Sequence, residues 1–171
     1  TETLQTIMAD MMESGAVLDA VVAQNEAQRR AMWERREAAA ELTFWRQPII
    51  DTDVAVPLDR VETFLTQANA RIAAADPTAE PFYISHLGDG NIHYGVYPSR
   101  DDEQLRDGIV EIIEDVVQDL GGSFSAEHGV GLSKLNTMRR RKDPVALDMM
   151  RKIKGVLDPN GILNPGKLIP D

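Results

Sequence analysis

The dipeptide Asp89-Gly90, set between two short apolar runs, constrains this chain more than any other feature. Asp-Gly between alternating apolar segments is a strong hairpin signal, because a type I′ turn needs two residues at positive φ. The flanking runs, 82–87 and 92–97, are therefore expected to be antiparallel strands. If Asp89-Gly90 is the turn, Gly88 faces Asn91, Leu87 faces Ile92 and His86 faces His93. Both imidazoles then leave one face of the sheet, with Cβ atoms about 4.5–5.5 Å apart.

The remaining segments supply helices and further strands. Residues 1–14 read as a short helix and Val17–Ala23 as a strand. Residues 24–45 contain neither Gly nor Pro and favour a long helix. Ile49–Val56 reads as a strand that Pro57 ends. Leu58, Val61, Phe64, Leu65, Ala68 and Ile72 form an apolar stripe at helical spacing. A second stripe runs through Leu105, Ile109, Ile112, Ile113, Val116 and Leu120, stopped by Gly121-Gly122. Short helices near 134–141 and 144–156 precede a turn-rich tail. A tight hairpin among these helices predicts an α+β domain with helices packed on an antiparallel sheet.

The 171 residues, 43% of them hydrophobic, suffice for one domain with a real core. A formal net charge of −10 repels phosphate backbones and anionic membranes, so neither nucleic acid nor a membrane surface is an expected partner. No run approaches the roughly 20 apolar residues of a membrane span. The absence of cysteine excludes thiol catalysis and zinc–thiolate sites and fits a reducing, cytoplasmic setting. Opening at Thr1 inside a helical pattern, the chain reads as a piece of a longer protein. No GxGxxG or phosphate-binding loop is present, so the chain carries no nucleotide fingerprint of its own.

All three histidines fall in two glycine-rich motifs, His86-Leu87-Gly88-Asp89-Gly90-Asn91-Ile92-His93 and Ser125-Ala126-Glu127-His128-Gly129. Two imidazoles on one face can chelate a divalent cation, and Glu127 or His128 offers the third ligand, a set that leaves positions open for water or substrate. The competing reading is a pair of hydrogen-bonded structural histidines. Trp33-Glu34-Arg35-Arg36-Glu37 is either an exposed charged face or the carrier of an arginine that binds a carboxylate bidentately. Leu157-Asp158-Pro159-Asn160-Gly161-Ile162-Leu163-Asn164-Pro165-Gly166-Lys167 reads as two successive turns.

Together, the HxGDGNxH, EHG and DPNGILNPGK segments resemble the C-terminal domain of FAD-linked oxidases of the vanillyl-alcohol oxidase type. This branch holds D-lactate dehydrogenase, the glycolate oxidase flavin subunit and D-2-hydroxyglutarate dehydrogenase. The resemblance implies a ferredoxin-like sheet flanked by helices, with a helical C-terminal extension, lying over the flavin of an FAD-binding domain that precedes this chain. By the same resemblance, His86, His93 and Glu127 hold a divalent metal, zinc or manganese. His128 takes the hydroxyl proton of a small 2-hydroxy acid, Arg36 binds its carboxylate, and Asn164 and Lys167 lie near FAD. A homodimer is compatible with the pattern. Three positions depart from the D-2-hydroxyglutarate dehydrogenase pattern: Ala40 replaces a threonine, Asp51 a lysine and Gly95 an asparagine. They point to a lactate- or glycolate-like monocarboxylate, or to one with a larger apolar tail. The reading from another class is a stand-alone metal- or ligand-binding ferredoxin-like module without redox activity.

Overall fold

The structure, a computed structural model, describes residues 2–41, 45–86 and 88–170. The chain divides into two compact units, 1–42 and 43–171. The first contains α1 (Glu2–Glu13) and α2 (Glu26–Glu37). Asn25 caps α2, its side chain accepting from the Gln28 N–H at 2.9 Å. The helix expected over 24–45 is shorter, because its last turn tightens into a 3-10 turn, Ala38–Glu41; residues 42–44 lie outside the described residues.

The strand expected at Val17–Ala23 is not formed. The segment is irregular, Leu18 and Val21 are exposed, and the N–H groups of Ala16 and Val17 bond back to the Met11 carbonyl at 2.9 and 3.1 Å. A strand exists only through a ladder partner, and here the backbone is drawn into closing the end of α1 instead.

The second unit runs β1 (Ile50–Ala55), a 3-10 turn (Leu58–Arg60), α3 (Val61–Ala75), β2 (Glu80–His86), β3 (Asn91–Tyr97), α4 (Glu103–Asp119), α5 (Leu135–Arg141) and α6 (Pro144–Leu157). The strands form one antiparallel sheet in the order β1-β3-β2. This β-α-β-β-α succession, with β3 central, is the ferredoxin-like arrangement and confirms the expected α+β class. The fourth strand position, beside β1, is reduced to a single antiparallel bridge, Ala55 to Ser123. Beyond it the chain leaves the sheet and forms the loop that carries Glu127 and His128.

Strand alternation sorts the sheet into two faces. Ile50, Val54, Ile92, Tyr94 and Val96 pack against Phe64, Ala68 and Ile72 of α3 and Ile109, Ile113 and Val116 of α4. Burying each such aliphatic or aromatic side chain is worth about 1.5–3 kcal/mol. The Tyr94 ring meets Phe64 edge-on at 5.4 Å, and its hydroxyl donates to Asn69 Oδ1 at 2.5 Å. Of the expected stripe, Leu58 is exposed, because it belongs to the preceding turn and not to α3.

The hairpin register differs from the expected one by two residues. His86 pairs with Asn91, and His93 with Ile84, so the turn lies between His86 and Asn91; Leu87, expected opposite Ile92, lies outside the described residues. Two interactions impose this. Asp89 Oδ1 accepts from the Asn91 N–H at 3.1 Å, and the Gly90 carbonyl is taken by the Val56 N–H at 3.1 Å, which fastens the loop to the end of β1. A two-residue shift preserves the facing of every side chain, so both imidazoles still leave the same face, as diagonal neighbours.

On the helical side, Glu114 is buried and ties α5 to α4. It accepts from Thr137 Oγ1 at 2.6 Å, Arg140 Nη2 at 2.9 Å and Arg141 Nε at 2.9 Å. Burial alone would raise its carboxyl; the hydrogen bonds from Arg140, Thr137 and Arg141 outweigh it and hold the group below its ordinary value. A depressed folded-state pKa stabilises above the unfolded value, about 4.3, and that contribution fades as pH falls through the folded one. Glu114→Gln should therefore cost about 2–3 kcal/mol at pH 7. In urea denaturation, the gap from wild type should shrink below about pH 4.

Candidate functional site

The sheet face opposite the helices carries Asp51, Asp53, His86, His93 and Gly95, and the 124–129 loop meets it at His93. His93 lies on the central strand, paired with Ile84 on one side and Asp53 on the other. His86 closes the hairpin at the end of β2. Their Nε2 atoms are 3.3 Å apart, and Glu127 Oε1 lies 3.0 Å from His93 Nε2 and 3.9 Å from His86 Nε2. The His128 ring stacks on His93, with centroids 5.1 Å apart, and its Nε2 is 3.5 Å from Glu127 Oε1. The structure thus brings together all four residues that the two glycine-rich motifs singled out.

These distances can be compared with what a cation requires. Ligand atoms bound to one ion at about 2.1 Å lie roughly 3.0–3.4 Å apart. Two sides of the His86–His93–Glu127 triangle meet that spacing, and the third closes by a small rotation of half-exposed side chains. The donor set, two imidazole nitrogens and one carboxylate, suits zinc or manganese. A second grouping, Asp53, His93, Glu127 and His128, has ligand atoms within 4.8 Å of one another. Asp53 is the weaker ligand of the two sets, because its carboxylate is already taken.

Asp53 was not singled out from the sequence. Its side chain is 4% exposed. Its Oδ2 accepts from the N–H of Ala126 at 3.2 Å, Glu127 at 3.1 Å and His128 at 2.9 Å, and from Lys134 Nζ at 3.1 Å. Lys134 also donates to Ser125 Oγ at 2.9 Å. Burial alone would raise the Asp53 carboxyl; the His128 N–H, the Lys134 ammonium and the Glu127 N–H outweigh it and hold it below the ordinary carboxylate range. The only trace in the sequence was the Asp-Thr-Asp run inside a strand, since aspartate is depleted there. Lys134 left no trace.

Asp51, Gly95 and Phe82 form the next cross-strand row along the same face. The Phe82 ring lies directly on Gly95, where a Cβ would come within 2.2 Å of it, and stacks on Tyr97 at 4.9 Å. Asp51 is exposed, and partial desolvation raises its carboxyl against the opposing pull of His93 and His128. Arg36 lies in α2, in the first unit, with its guanidinium 3.3 Å from Glu37. The side chain of Ala40 lies outside the described residues. Asn164 and Lys167 belong to the C-terminal tail. Asn164, with φ of 46°, lines a cavity of about 380 Å³ together with Arg151, Lys154 and Gly166. That tail is folded around Asp158, whose carboxylate accepts from the Ile162 and Leu163 N–H groups, each at 2.9 Å, and from Lys154.

Residues 1–168 match the family model described as FAD linked oxidases, C-terminal domain. The chain belongs to this family. It is 34% identical over 163 residues to a D-2-hydroxyglutarate dehydrogenase of Stutzerimonas stutzeri, covering 92% of this chain and 35% of that protein. It is 32% identical over 170 residues to the mitochondrial D-2-hydroxyglutarate dehydrogenase of Bos taurus, covering 99% and 31%. It is 37% identical to an uncharacterised FAD-linked oxidoreductase of Mycobacterium tuberculosis, covering 99% and 36%. The domain thus spans about a third of the length of these relatives. Among its described residues no helix is long and apolar enough to cross a membrane.

The hairpin on which this site depends can be probed at Gly90. Its φ is +75°, and a Cβ there would come within 2.0 Å of the Val56 carbonyl oxygen. The left-handed conformation alone costs a side chain roughly 1–2 kcal/mol, and the clash adds to it. Gly90→Ala is expected to lower unfolding free energy by at least about 2 kcal/mol in urea, whereas Gly88→Ala, with open space around it, should cost far less.

Proposed function

We propose that this chain is the substrate-facing domain of an FAD-dependent dehydrogenase of 2-hydroxy acids. The observation that carries the reading is the convergence of His86, His93, Glu127 and His128 on the sheet face left open by the helices. The family, and the D-2-hydroxyglutarate dehydrogenases among its relatives, support the reaction class.

In this reading His86, His93 and Glu127 hold a divalent cation, zinc or manganese, which when bound supplies a positive charge for the substrate hydroxyl and carboxylate oxygens. FAD, when bound, supplies the acceptor for the hydride leaving the hydroxyl-bearing carbon. His128 Nε2 removes the hydroxyl proton, a role that requires an unprotonated nitrogen within hydrogen-bond reach. Its ring is 58% exposed, so substrate can approach it, and its stacking on His93 keeps it beside the metal ligands. Arg36 offers a bidentate partner for the substrate carboxylate. Asn164 and Lys167 contribute to holding FAD.

The proposed substrate is a monocarboxylate, lactate- or glycolate-like or with an apolar tail. Asp51 stands on the same face, two residues along β1 from Asp53, and a second substrate carboxylate beside it would be repelled. Phe82, half-buried over Gly95, makes the adjoining row of the face aromatic. Losing one charge-assisted hydrogen bond costs about 1.5–3 kcal/mol, or roughly ten- to hundredfold in affinity.

Two measurements on the intact protein test this. The first compares kcat/KM for D-lactate, glycolate and D-2-hydroxyglutarate; a tenfold preference for the dicarboxylate would overturn the substrate assignment. In the same assay Arg36→Ala should raise KM strongly, and His128→Gln should lower kcat by about 10²–10⁴-fold. The second titrates metal into ligand variants. His86→Ala, His93→Ala and Glu127→Gln should each weaken binding more than His128→Ala does; the reverse order would make His128 a ligand and not the base.

A further inference from the structure

We infer that Asp53 and Lys134 form a positioning latch that sets the metal affinity of the site by holding the Glu127–His128 loop in its ligand-presenting conformation. This inference rests on the reading of His86, His93 and Glu127 as ligands.

After its single bridge to Ala55 at Ser123, the chain leaves the sheet, so the N–H groups of residues 126–128 have no ladder to join. Three consecutive N–H groups left unpaired near a sheet face would cost several kilocalories per mole in total. All three donate to the one Asp53 carboxylate, mostly through Oδ2. The Ala126 N–H also reaches the Asp53 carbonyl at 3.2 Å, so the loop start is gripped by both the backbone and the side chain of β1. With three consecutive backbone N–H vectors pointed at one oxygen, Glu127 and His128 are committed to project where they do.

Burying that carboxylate would be unfavourable without a counter-charge. Lys134 supplies it. Its side chain is 17% exposed, and it spans Asp53 and Ser125, joining the two ends of the loop to one ammonium. The hydroxyl of Ser125 in turn donates to the Gly129 carbonyl at 2.7 Å, which closes the loop on itself. Each donor of the latch is thus an element of the 125–134 segment, and each acceptor except Ser125 Oγ and Gly129 is on β1.

The same carboxylate also lies beside the central histidine, Asp53 Oδ1 being 3.9 Å from His93 Nδ1, a charge contact and not a hydrogen bond. Its hold on the site is therefore exerted through the loop that presents Glu127. Outer partners of this kind typically govern metal affinity ten- to hundredfold.

The test uses the intact protein and cobalt as a spectroscopic probe, with the affinity read from a calorimetric titration. Asp53→Asn and Lys134→Met are expected to weaken cobalt binding ten- to hundredfold and to shift the cobalt absorption bands, while Lys134→Arg stays within about threefold of wild type. The double variant should be little worse than Asp53→Asn alone, because the two residues act as one device. Asp102→Ala, which removes the cap at the start of α4, the end of that helix away from the loop, should bind cobalt as wild type does. Amide hydrogen exchange completes the set: residues 126–128 should lose protection in Asp53→Asn and keep it in Asp102→Ala. Unchanged cobalt affinity in Asp53→Asn and Lys134→Met, or an equal loss in Asp102→Ala, would overturn the latch. If wild type takes up no cobalt, the ligand reading fails, and the latch is then judged by exchange alone: protection lost in Asp53→Asn sustains its hold on the loop, and protection kept overturns it.

Discussion

The carboxylate of Asp53 is the interaction on which the organisation of the site depends. It is buried on β1, at the point where a fourth strand would have continued beside it, and it takes up the backbone N–H groups that the missing ladder leaves over. A strand in that position would have pointed alternate side chains to opposite faces. A loop bound through consecutive N–H groups to one carboxylate can instead place two adjacent residues, Glu127 and His128, near the same histidine. The short bridge at Ser123 and the acid at position 53 are thus two parts of one solution.

The sheet itself works because its two faces are used differently. Aliphatic and aromatic residues at alternate positions bury against α3 and α4, and this anchors the strands without involving the other face. The strand order then decides rigidity. β3 is central, paired on both sides, so His93 stands on the best-supported backbone of the sheet, whereas His86 lies at the end of a strand bordered on one side only. The hairpin loop is held by the Val56 N–H on the Gly90 carbonyl, which connects the third member of the sheet to the turn between the other two.

Carboxylates, several of them buried or partly buried, recur as partners of otherwise unpaired backbone N–H groups. Asp158 repeats the arrangement of Asp53, taking two N–H groups of the tail and one lysine. Asp76 accepts the Ser99 N–H at 2.8 Å, and that hydrogen bond, outweighing the effect of burial, lowers its carboxyl pKa. Asp102 and Asp143 cap α4 and α6 by accepting from Leu105 and Ala146. Part of the acidic excess in the composition is therefore structural: these charges face N–H groups and lysines, not solvent alone.

The sequence by itself determined the two-faced hairpin, the stripes of α3 and α4, the glycine stop after α4, and the residue types of the site. These follow from local rules, alternation at period two, apolar spacing at 3.6 residues and turn chemistry, which need no knowledge of distant partners. Parity alone placed His86 and His93 on one face even though the register moved by two residues. What only the tertiary structure decided depends on partners far along the chain. The apolar run at 17–23 had strand composition but no ladder, so it stayed irregular. The hairpin register was settled by Val56, more than thirty residues before the turn, and the meeting of Glu127 with His93 was settled by Asp53, 74 residues before it. A buried carboxylate that receives N–H groups from a distant loop looks, in a linear sequence, like any other acid on a strand, because the donors that distinguish it are brought to it only by folding.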